Sequence, residues 1–330
     1  MFELLSRSAR LPTFLIPFGD SGMGLTYYAL SYLIGAGLAL FLSCYRSYRD
    51  GFPKDFFINL FFVAFPMGII GGRVWYVIAD WSSFFGPGAD QEWYAIWNGG
   101  MAIQGGAIFG ILSGVLFAKF RRRHTPILQA TDWAVPTILV AQMIGRWGNF
   151  MNAEVHGNIV NTAAYSPILP GFIINQMGYT SNVSTAALPD SQMYVPLFLI
   201  EGIFNVAGYF LITRGFETVL KRYRLYGDEC FSYLVWYGLT RLLLEPLRSS
   251  EYHMVQNGTM QAILMAWIFV GVGLLLIFIN HLLINLGERK LVEYPGWLSA
   301  ILVNGADHYL PEGNHFLSAD FKLRTGGGHQ

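Results

Sequence analysis

Residues 259–284 read TMQAILMAWIFVGVGLLLIFINHLLI and contain no Asp, Glu, Lys or Arg. A helix needs about 20 predominantly apolar residues to cross a bilayer, so this stretch predicts a membrane span. Six further stretches meet the same criterion, at 24–44, 56–79, 99–118, 125–150, 193–213 and 229–247. The runs are continuous and do not alternate with period two, which favours helices over a closed barrel. The sequence therefore predicts an all-α integral membrane protein with seven transmembrane helices.

The composition agrees with a membrane protein and excludes several other classes. Of 330 residues, 53% are hydrophobic and 13% are charged, against about 25% charged in a soluble domain. This excludes a disordered chain, and the balance of 21 basic and 21 acidic residues argues against nucleic-acid binding. Cys44 and Cys230 are too few for a disulfide framework, and the histidines show no ligand spacing. We therefore expect no metal and no cofactor.

The positions of Lys and Arg in the connections predict the orientation of the helices. Basic residues follow the first, third, fifth and seventh spans, whereas residues 80–98 and 151–192 contain none and the sixth connection has only Arg248. Cytoplasmic loops carry the excess of Lys and Arg, so we expect the N-terminus outside and the C-terminus in the cytoplasm. Arg7 and Arg10, near the N-terminus, are the exception to this pattern.

The spans define one transmembrane domain, residues 24–284, with less apolar segments around it. Residues 1–23 are expected to be an external segment without a signal-peptide pattern, because Pro12 and Pro17 interrupt any apolar core. Residues 151–192 are polar and long for a connection, which predicts a small external cap. Residues 285–330 are expected to be a cytoplasmic tail. No internal repeat is visible, which argues against a transporter built from two halves.

Charged residues inside the spans are the main indication of a functional site. Each costs about 2.5–3.5 kcal/mol at bilayer depth, so such residues usually pair or line a cavity. Six lie away from the span ends, namely Arg73, Asp132, Arg146, Glu201, Arg241 and Glu245. A helix rise of about 1.5 Å per residue places all but Asp132 in the outer half of the bilayer, together with Tyr28 and Gln104. This predicts one polar cavity near the outer leaflet.

Two interpretations of these charges remain open. They can be structural ion pairs, such as Arg241 with Glu245 and Arg73 with Glu201. Alternatively, three arginines with two local acids leave an excess positive charge, and a guanidinium in a dry site needs an anion because it keeps its proton. Its planar donors match a phosphate, which predicts a ligand such as a phospholipid headgroup.

The glycine spacing has a structural explanation. Gly106, Gly110 and Gly114 are four residues apart, as are Gly68 and Gly72. Small residues at this spacing let two helices approach closely, so we favour helix packing over a phosphate-binding role.

Residues 145–157 carry a specific resemblance. They read Gly-Arg-Trp-Gly-Asn-Phe-Met-Asn-Ala-Glu-Val-His-Gly and fill every fixed position of a G-R-x-G-N-F-x-N-x-E-x-x-G signature. The stretch resembles the signature of the bacterial phosphatidylglycerol–prolipoprotein diacylglyceryl transferase family. Between about residues 20 and 285, further motifs are similar to that family's: the Tyr28 region, Gly71-Gly72-Arg73, 97–106, Pro196 to Glu201, and Arg241 with Glu245.

Two positions depart from the family pattern. Gln104 stands where the family usually has a histidine before Gly-Gly, and Val195 stands where it has a histidine before Pro196. The first histidine is a natural candidate for a general base, and an amide cannot accept a proton. Either the base lies elsewhere or the reaction needs little base assistance.

The resemblance implies an activity and assigns roles to residues. It implies that the diacylglyceryl group of phosphatidylglycerol passes to the lipobox cysteine of a preprolipoprotein signal peptide, giving a thioether and glycerol phosphate. Arg146 and Arg241 would stabilise the leaving phosphate, with Glu154 the first candidate base and Tyr28 the second. The expected substrate-binding residues are Arg73, Gln104, Asn149, Asn152, Gly157, Glu201 and Glu245. For Asn149 and Asn152 the alternative is capping of a helix end, and the two glutamates are expected to orient arginines.

The expected setting is a monomer in a bacterial plasma membrane, in contact with membrane lipid. Trp147 and Phe150 are predicted to belong to the interfacial aromatic belt. Two other functions remain open: a catalytically impaired lipid-binding homologue, suggested by Gln104 and Val195, and a transporter of lipid or ions that uses the same polar cavity.

Overall fold

The computed structural model describes residues 10–12, 14–17, 24–52, 55–86, 88, 92–96, 100–121, 127–181, 187–221, 223–249 and 258–288. Within these residues the protein is mostly helical. Five helical segments are long and apolar enough to cross a membrane: Tyr27–Arg49, Asp55–Ala79, Ile127–Asn152, Leu197–Val219 and Met260–Leu282. A shorter apolar helix runs over Gln104–Phe117. The prediction of a helical, multi-pass membrane protein is therefore confirmed.

The chain divides into two compact units. One contains residues 40–133 and the other combines the chain before residue 40 with the chain after residue 133. The unit of residues 40–133 contains the end of helix α1 (Tyr27–Arg49), followed by α2 (Asp55–Ala79), α3 (Trp81–Phe85), α4 (Ile103–Arg121) and most of α5 (Ile127–Ala134).

Glycines bring α2 and α4 into close contact, as the spacing predicted. A Cβ on Gly68 would lie 3.4 Å from the Gly106 carbonyl oxygen, which is a tight backbone approach. The tightest crossing is at Gly71 and Gly105, which directly precede Gly72 and Gly106, and a Cβ on Gly105 would overlap the Gly71 carbonyl. Close backbone approach through small residues is the usual way in which helices pack inside a membrane.

The second unit holds the remaining elements. Strands β1 (Phe14–Pro17) and β2 (Gly24–Thr26) pair antiparallel just before α1 begins. Then come α6 (Thr137–Asn152), β3 (Ile159–Asn161), α7 (Gly171–Gln176), β4 (Gln192–Tyr194), α8 (Leu197–Arg214), α9 (Asp228–Leu244) and α10 (Gly258–Glu288). Strands β3 and β4 pair antiparallel. The chain between α6 and α8 therefore begins and ends in a small two-stranded β-ribbon.

The predicted stretch 125–150 is interrupted. Helix α5 ends at Ala134, a turn covers Val135 and Pro136, and α6 begins at Thr137. Proline lacks the N–H that a continuous helix would use at this point, so the interruption falls where the sequence requires it.

A hydrophobic cluster covers the end of α6. Phe150 is 2% exposed and packs with Ile173, Met177, Met193 and Phe198. The prediction that Phe150 belongs to an interfacial belt was therefore wrong, because the segment between α6 and α8 folds back over it. Trp147 remains 39% exposed.

Arg10 is fastened to the same helix end. Its Nη2 donates to the Asn152 carbonyl oxygen at 2.7 Å, and the N–H of Leu11 donates to the buried Gln176 side chain at 3.0 Å. A cation at a helix C-terminus is favoured by the helix dipole. Arg10, an exception to the basic-loop pattern, thus has a structural role at α6.

Some predicted segments lie outside the described residues. These are most of the N-terminal segment 1–23, residues 182–186 of the predicted cap, and residues 289–330 of the predicted tail.

The glycine crossing predicts a sharp difference between two substitutions in α4. Gly105→Ala should lower the free energy of unfolding by about 1–3 kcal/mol, because the added methyl overlaps the Gly71 carbonyl and Trp75 Cβ. Gly114→Ala should be neutral or slightly stabilising, because its Cβ would lie 3.5 Å from Leu60 Cδ1, an ordinary contact. Thermal unfolding of the purified protein in detergent measures both, and equal effects would contradict this packing.

Candidate functional site

Five charged side chains of α6, α8 and the end of α9 form one chain of ion pairs. One oxygen of Glu201 forms an ion pair with Nε of Arg146, and the other accepts a hydrogen bond from Nη2 of Arg248 at 3.2 Å. Glu245 lies 3.8 Å from Nε of Arg248 and 2.9 Å from Nε of Arg241. We call these five residues the ion network. Both glutamates are buried, with exposed fractions of 6% and 3%.

The order of charges in the ion network follows from helix geometry. Arg241 and Glu245 are four residues apart at the end of α9, a spacing that puts both on one face. Pro246 follows in a short 3-10 turn, Glu245–Leu247, which ends the helix and brings Arg248 back toward Glu245. The predicted pair of Arg241 with Glu245 is present, whereas Glu201 pairs with Arg146 and Arg248.

The ion network is suited to hold an anion. Three guanidinium groups and two carboxylates leave one net positive charge in a largely buried site. Arg146 and Arg241 keep 25% and 24% of their side-chain surface exposed, against 10% for Arg248. The two outer arginines can therefore contact a ligand, while Arg248 joins the two glutamates between them. Phosphate is the anion whose geometry paired guanidinium groups match best.

Arg248 is the residue of this group that sequence reasoning missed. It lies one residue beyond the predicted span 229–247 and was interpreted as a loop charge. Burial and the nearby charge of Arg241 lower the pKa of Arg248, and the two glutamates oppose this effect. Arg248 lies three residues after Glu245, and in a helix this spacing also places two side chains on one face. The spacing could therefore have indicated that Arg248 lies beside Glu245.

A second chain of contacts runs from Arg146 to Glu154. Nη1 of Arg146 donates to Oδ1 of Asn149 at 3.5 Å, and Nδ2 of Asn149 donates to Oε1 of Glu154 at 2.9 Å. Asn149 is 6% exposed, so its amide is held between the two charged groups. Its side chain does not cap the helix end. Instead it orients Glu154, the predicted base, toward Arg146.

The backbone around Glu154 is strained. Ala153 and Val155, on either side of it, have φ of 52° and 56°. Left-handed backbone costs a residue with a Cβ about 1–3 kcal/mol, and such strain is often found at functional sites. The turn directs the chain away from α6 and leaves the Glu154 side chain beside Asn149.

Gly157 lies where three segments of the site meet. Its N–H donates to the Val195 carbonyl at 3.0 Å, and it forms a β-bridge with Arg248. A Cβ on Gly157 would lie 2.7 Å from both the Leu247 carbonyl oxygen and Val195 Cβ. Glycine is required here by space, and its backbone aligns the ends of α6, α8 and α9. The structure thus gives the predicted substrate-binding residue a structural function.

His156 is buried beside this junction. It is 1% exposed, and its ring stacks on Tyr194 with centroids 3.7 Å apart. Burial lowers the pKa of His156 to about 4, so the imidazole is neutral at physiological pH. It therefore adds no positive charge to the neighbourhood of the ion network.

Tyr28 is held against the signature helix. A Cβ on Gly148 would lie 3.1 Å from Tyr28 Cδ2 and 3.2 Å from its Cα, so the signature glycine allows α1 to approach α6. The Tyr28 hydroxyl lies 3.1 Å from that of Tyr32, and the charges of Glu154 and Arg146 act on it. Tyr28, the second candidate base, therefore lies close enough to Glu154, the first candidate, for the two groups to interact electrostatically.

Asn152 contributes mainly through its backbone. Its carbonyl accepts from Arg10, while its side-chain Oδ1 is buried without a hydrogen-bond partner among the described residues. Nothing in these contacts connects the Asn152 side chain to the ion network.

The two remaining predicted site residues belong to the unit of residues 40–133. Arg73 donates to the carbonyl oxygens of Glu92, Trp93 and Gly100 at 2.7–2.9 Å. These three hydrogen bonds hold the loop after α3, and the pairing of Arg73 with Glu201 stays a prediction. Gln104 is exposed in the first turn of α4.

Within the described residues, no group of three or more His, Cys, Asp and Glu side chains is arranged to hold an ion. The charged side chains that the site brings together are the five of the ion network and Glu154.

Comparison with known proteins identifies the family of this chain. Residues 18–279 match the family model described as prolipoprotein diacylglyceryl transferase. A phosphatidylglycerol–prolipoprotein diacylglyceryl transferase of Bacillus licheniformis is 36% identical over 232 residues, 70% of this chain and 79% of the relative. Proteins of the same name from Bacillus cereus and Bacillus anthracis are 39% identical over 222 residues, 66% of this chain and 76% of each relative. The chain belongs to the prolipoprotein diacylglyceryl transferase family.

Proposed function

We propose that this protein transfers the diacylglyceryl group of phosphatidylglycerol to the lipobox cysteine of preprolipoproteins. The observation that carries the proposal is the ion network, which leaves the guanidinium groups of Arg146 and Arg241 partly exposed in a site that is otherwise largely buried, beside the family signature. A positive site at this depth in a multi-pass membrane protein fits the phosphate of a phospholipid better than a soluble anion. The names of the relatives agree with both substrates.

The reaction needs stabilisation of a leaving phosphate. The cysteine sulfur attacks the glycerol carbon that carries the phosphoester, so that an S–C bond forms and the C–O bond breaks. The electron pair of that bond leaves with the oxygen of glycerol phosphate. Arg146 and Arg241 bind the phosphate oxygens and stabilise the charge that develops on them. Glu201, Glu245 and Arg248 hold the two arginines in place before the substrate arrives.

The thiol must also lose its proton. A free cysteine has a pKa near ~8.5 and is a few per cent thiolate at neutral pH, so a carboxylate is a sufficient base. Glu154 accepts this proton, held by Asn149 at 2.9 Å and fixed by the strained turn around it. The proton finally leaves with the released glycerol phosphate. Tyr28 is the second candidate for this role.

The number of membrane-spanning helices and their orientation are inferred from the helix positions and the basic residues. Six of the seven predicted stretches each coincide with one helix, and the stretch 125–150 coincides with α5 and α6 together. We infer that all seven stretches cross the membrane. The absence of Lys and Arg from residues 151–192 supports an external cap, with the N-terminus outside and the C-terminus in the cytoplasm. We further infer that the protein acts as a monomer in a bacterial plasma membrane.

Transfer can be tested directly with the full-length protein in vesicles. Acyl-labelled phosphatidylglycerol and a lipobox peptide are supplied, and covalent label on the peptide cysteine is measured. Wild-type protein should label the peptide, and a Cys→Ala peptide should stay unlabelled. Protein that inserts and binds the lipid but labels no peptide would be an impaired homologue. Label that crosses to the opposite leaflet instead would indicate a transporter.

Arg146→Ala should reduce this labelling by about 10²-fold or more, because one preorganised donor to a developing charge is lost. Arg214→Ala is the matched control, since Arg214 is 66% exposed and pairs only with Glu217 among the described ion pairs. Both variants should insert. Because Arg146→Ala also removes an ion-pair partner of the buried Glu201, it should be less stable, and labelling is therefore compared per amount of folded protein. Undiminished labelling by Arg146→Ala would refute the leaving-group role.

Glu154→Gln should change the pH dependence of transfer. Without the carboxylate, the rate depends on the thiolate already present, so it should be low at neutral pH and rise about tenfold per pH unit toward ~8.5. The wild type should vary much less over pH 6–8.5. Initial rates measured across this range test the assignment, and parallel profiles for the two proteins would move the base to Tyr28 or another group.

Gln104→His restores the residue that the resemblance associates with this position. If the native enzyme lacks an effective base, the substitution should raise the transfer rate at neutral pH several-fold. If Glu154 already removes the proton, as we propose, the rate should change less than about twofold. The same labelling assay at pH 7 distinguishes the two outcomes, and a marked gain would contradict the role of Glu154.

A further inference from the structure

A second layer of polar side chains lies one helical turn from the ion network, on the side facing the membrane interior. Gln142 is four residues before Arg146 on α6, and Asn205 is four residues after Glu201 on α8. Tyr237 and Tyr233 are four and eight residues before Arg241 on α9. Residues four apart share a helix face, so Gln142, Asn205 and Tyr237 each lie about 6 Å deeper than the ion-network residue of the same helix, and Tyr233 lies one turn deeper still.

Side-chain contacts connect the residues of this layer across helices. Nε2 of Gln142 donates to the Tyr233 hydroxyl at 3.1 Å, which joins α6 to α9. The rings of Tyr233 and Tyr237 are stacked with centroids 6.1 Å apart. Asn205 is 6% exposed, like Glu201 above it on the same helix. Asn205 is thus buried, whereas Gln142, Tyr233 and Tyr237 are half-buried and joined to one another by contacts between their side chains.

One atom of the layer lacks a partner. Oε1 of Gln142 is buried and accepts no hydrogen bond from the described residues. An unsatisfied buried polar group is costly, and in a native protein it usually indicates a missing partner. A primary amide can turn either its oxygen or its NH₂ group toward Tyr233, because the phenol both donates and accepts. The pair can therefore offer an N–H donor to a ligand.

The chemistry of a phospholipid matches this arrangement. With its phosphate on the ion network and its chains toward the bilayer interior, its two acyl ester groups follow directly below the phosphate. An ester carbonyl is a neutral acceptor, and amide and phenol groups are neutral donors that satisfy it without a further charge in the membrane. We propose that Gln142, Asn205 and Tyr233 bind the ester carbonyls of the diacylglyceryl group. This inference rests on the proposed function and orientation.

The proposal makes the enzyme selective for ester-linked lipid. The bond that breaks joins the glycerol carbon to the phosphate oxygen, so the ester groups do not react. Phosphatidylglycerol with ether-linked chains keeps the phosphate and the reacting carbon but lacks both carbonyls. It should react by the same route and differ only in binding, which affects KM and leaves kcat nearly unchanged.

The test measures kcat and KM for ester-linked and ether-linked phosphatidylglycerol of equal chain length, with full-length protein in vesicles and a lipobox peptide. Wild-type protein should show a KM about tenfold lower for the ester lipid, the effect expected of one or two hydrogen bonds. Gln142→Leu and Asn205→Leu should raise the ester KM toward the ether value and leave the ether KM unchanged. Tyr233→Phe serves as a second variant that keeps the aromatic ring. The control Tyr45→Phe, at a side chain 56% exposed on α1, should keep the wild-type ratio.

Each other outcome contradicts the proposal in a distinct way. Equal KM values for both lipids in the wild type would overturn it. Variants that raise both KM values equally, or lower kcat for both lipids, would show a structural role and overturn it as well. No transfer from either lipid by the wild type would instead refute the proposed function, on which this inference depends.

Discussion

Two buried glutamates determine the arrangement of the site. A carboxylate in a low-dielectric site needs opposite charge close by, and removing one partner of such a pair leaves an uncompensated charge that costs several kcal/mol. Glu201 and Glu245 meet this need with three arginines from α6 and from the end of α9. The ends of α6, α8 and α9 must therefore lie together. The three arginines outnumber the two glutamates of the network, and the exposed parts of Arg146 and Arg241 are the basis of the proposed binding of phosphate.

The backbone near the network depends on the same constraint. Gly148 lets α1 approach α6, and Gly157 lets three chain segments meet where a Cβ would overlap its neighbours. Between them, the left-handed turn at Ala153 and Val155 leaves Glu154 beside Asn149. The signature thus combines residues that act on charge with residues whose small size permits the others to approach. Substituting either kind is expected to impair transfer, but for different physical reasons.

The electrostatics of the site also explain why a weak base is enough. His156 lies nearby but is neutral, because burial lowers its pKa to about 4. A cysteine thiol is among the more acidic protein nucleophiles, and the Glu154 side chain is held in place by Asn149 as the proposed acceptor of its proton. A protein with Gln104 in place of a histidine is therefore consistent with the proposed chemistry.

The sequence by itself determined that the chain is a helical membrane protein and where its helices lie. It also indicated which charged residues lie within apolar stretches. These features could be predicted because hydropathy depends only on neighbouring residues in the sequence. It also indicated helix packing through Gly68 and Gly106 and a pair between Arg241 and Glu245, because both depend on helical spacing. Only the tertiary structure decided which charges meet. It joined Glu201 to Arg146 and Arg248, directed Arg73 to loop carbonyls, and buried Phe150 under the returning chain. These contacts join residues far apart in sequence, and periodicity within one helix carries no information about its neighbours.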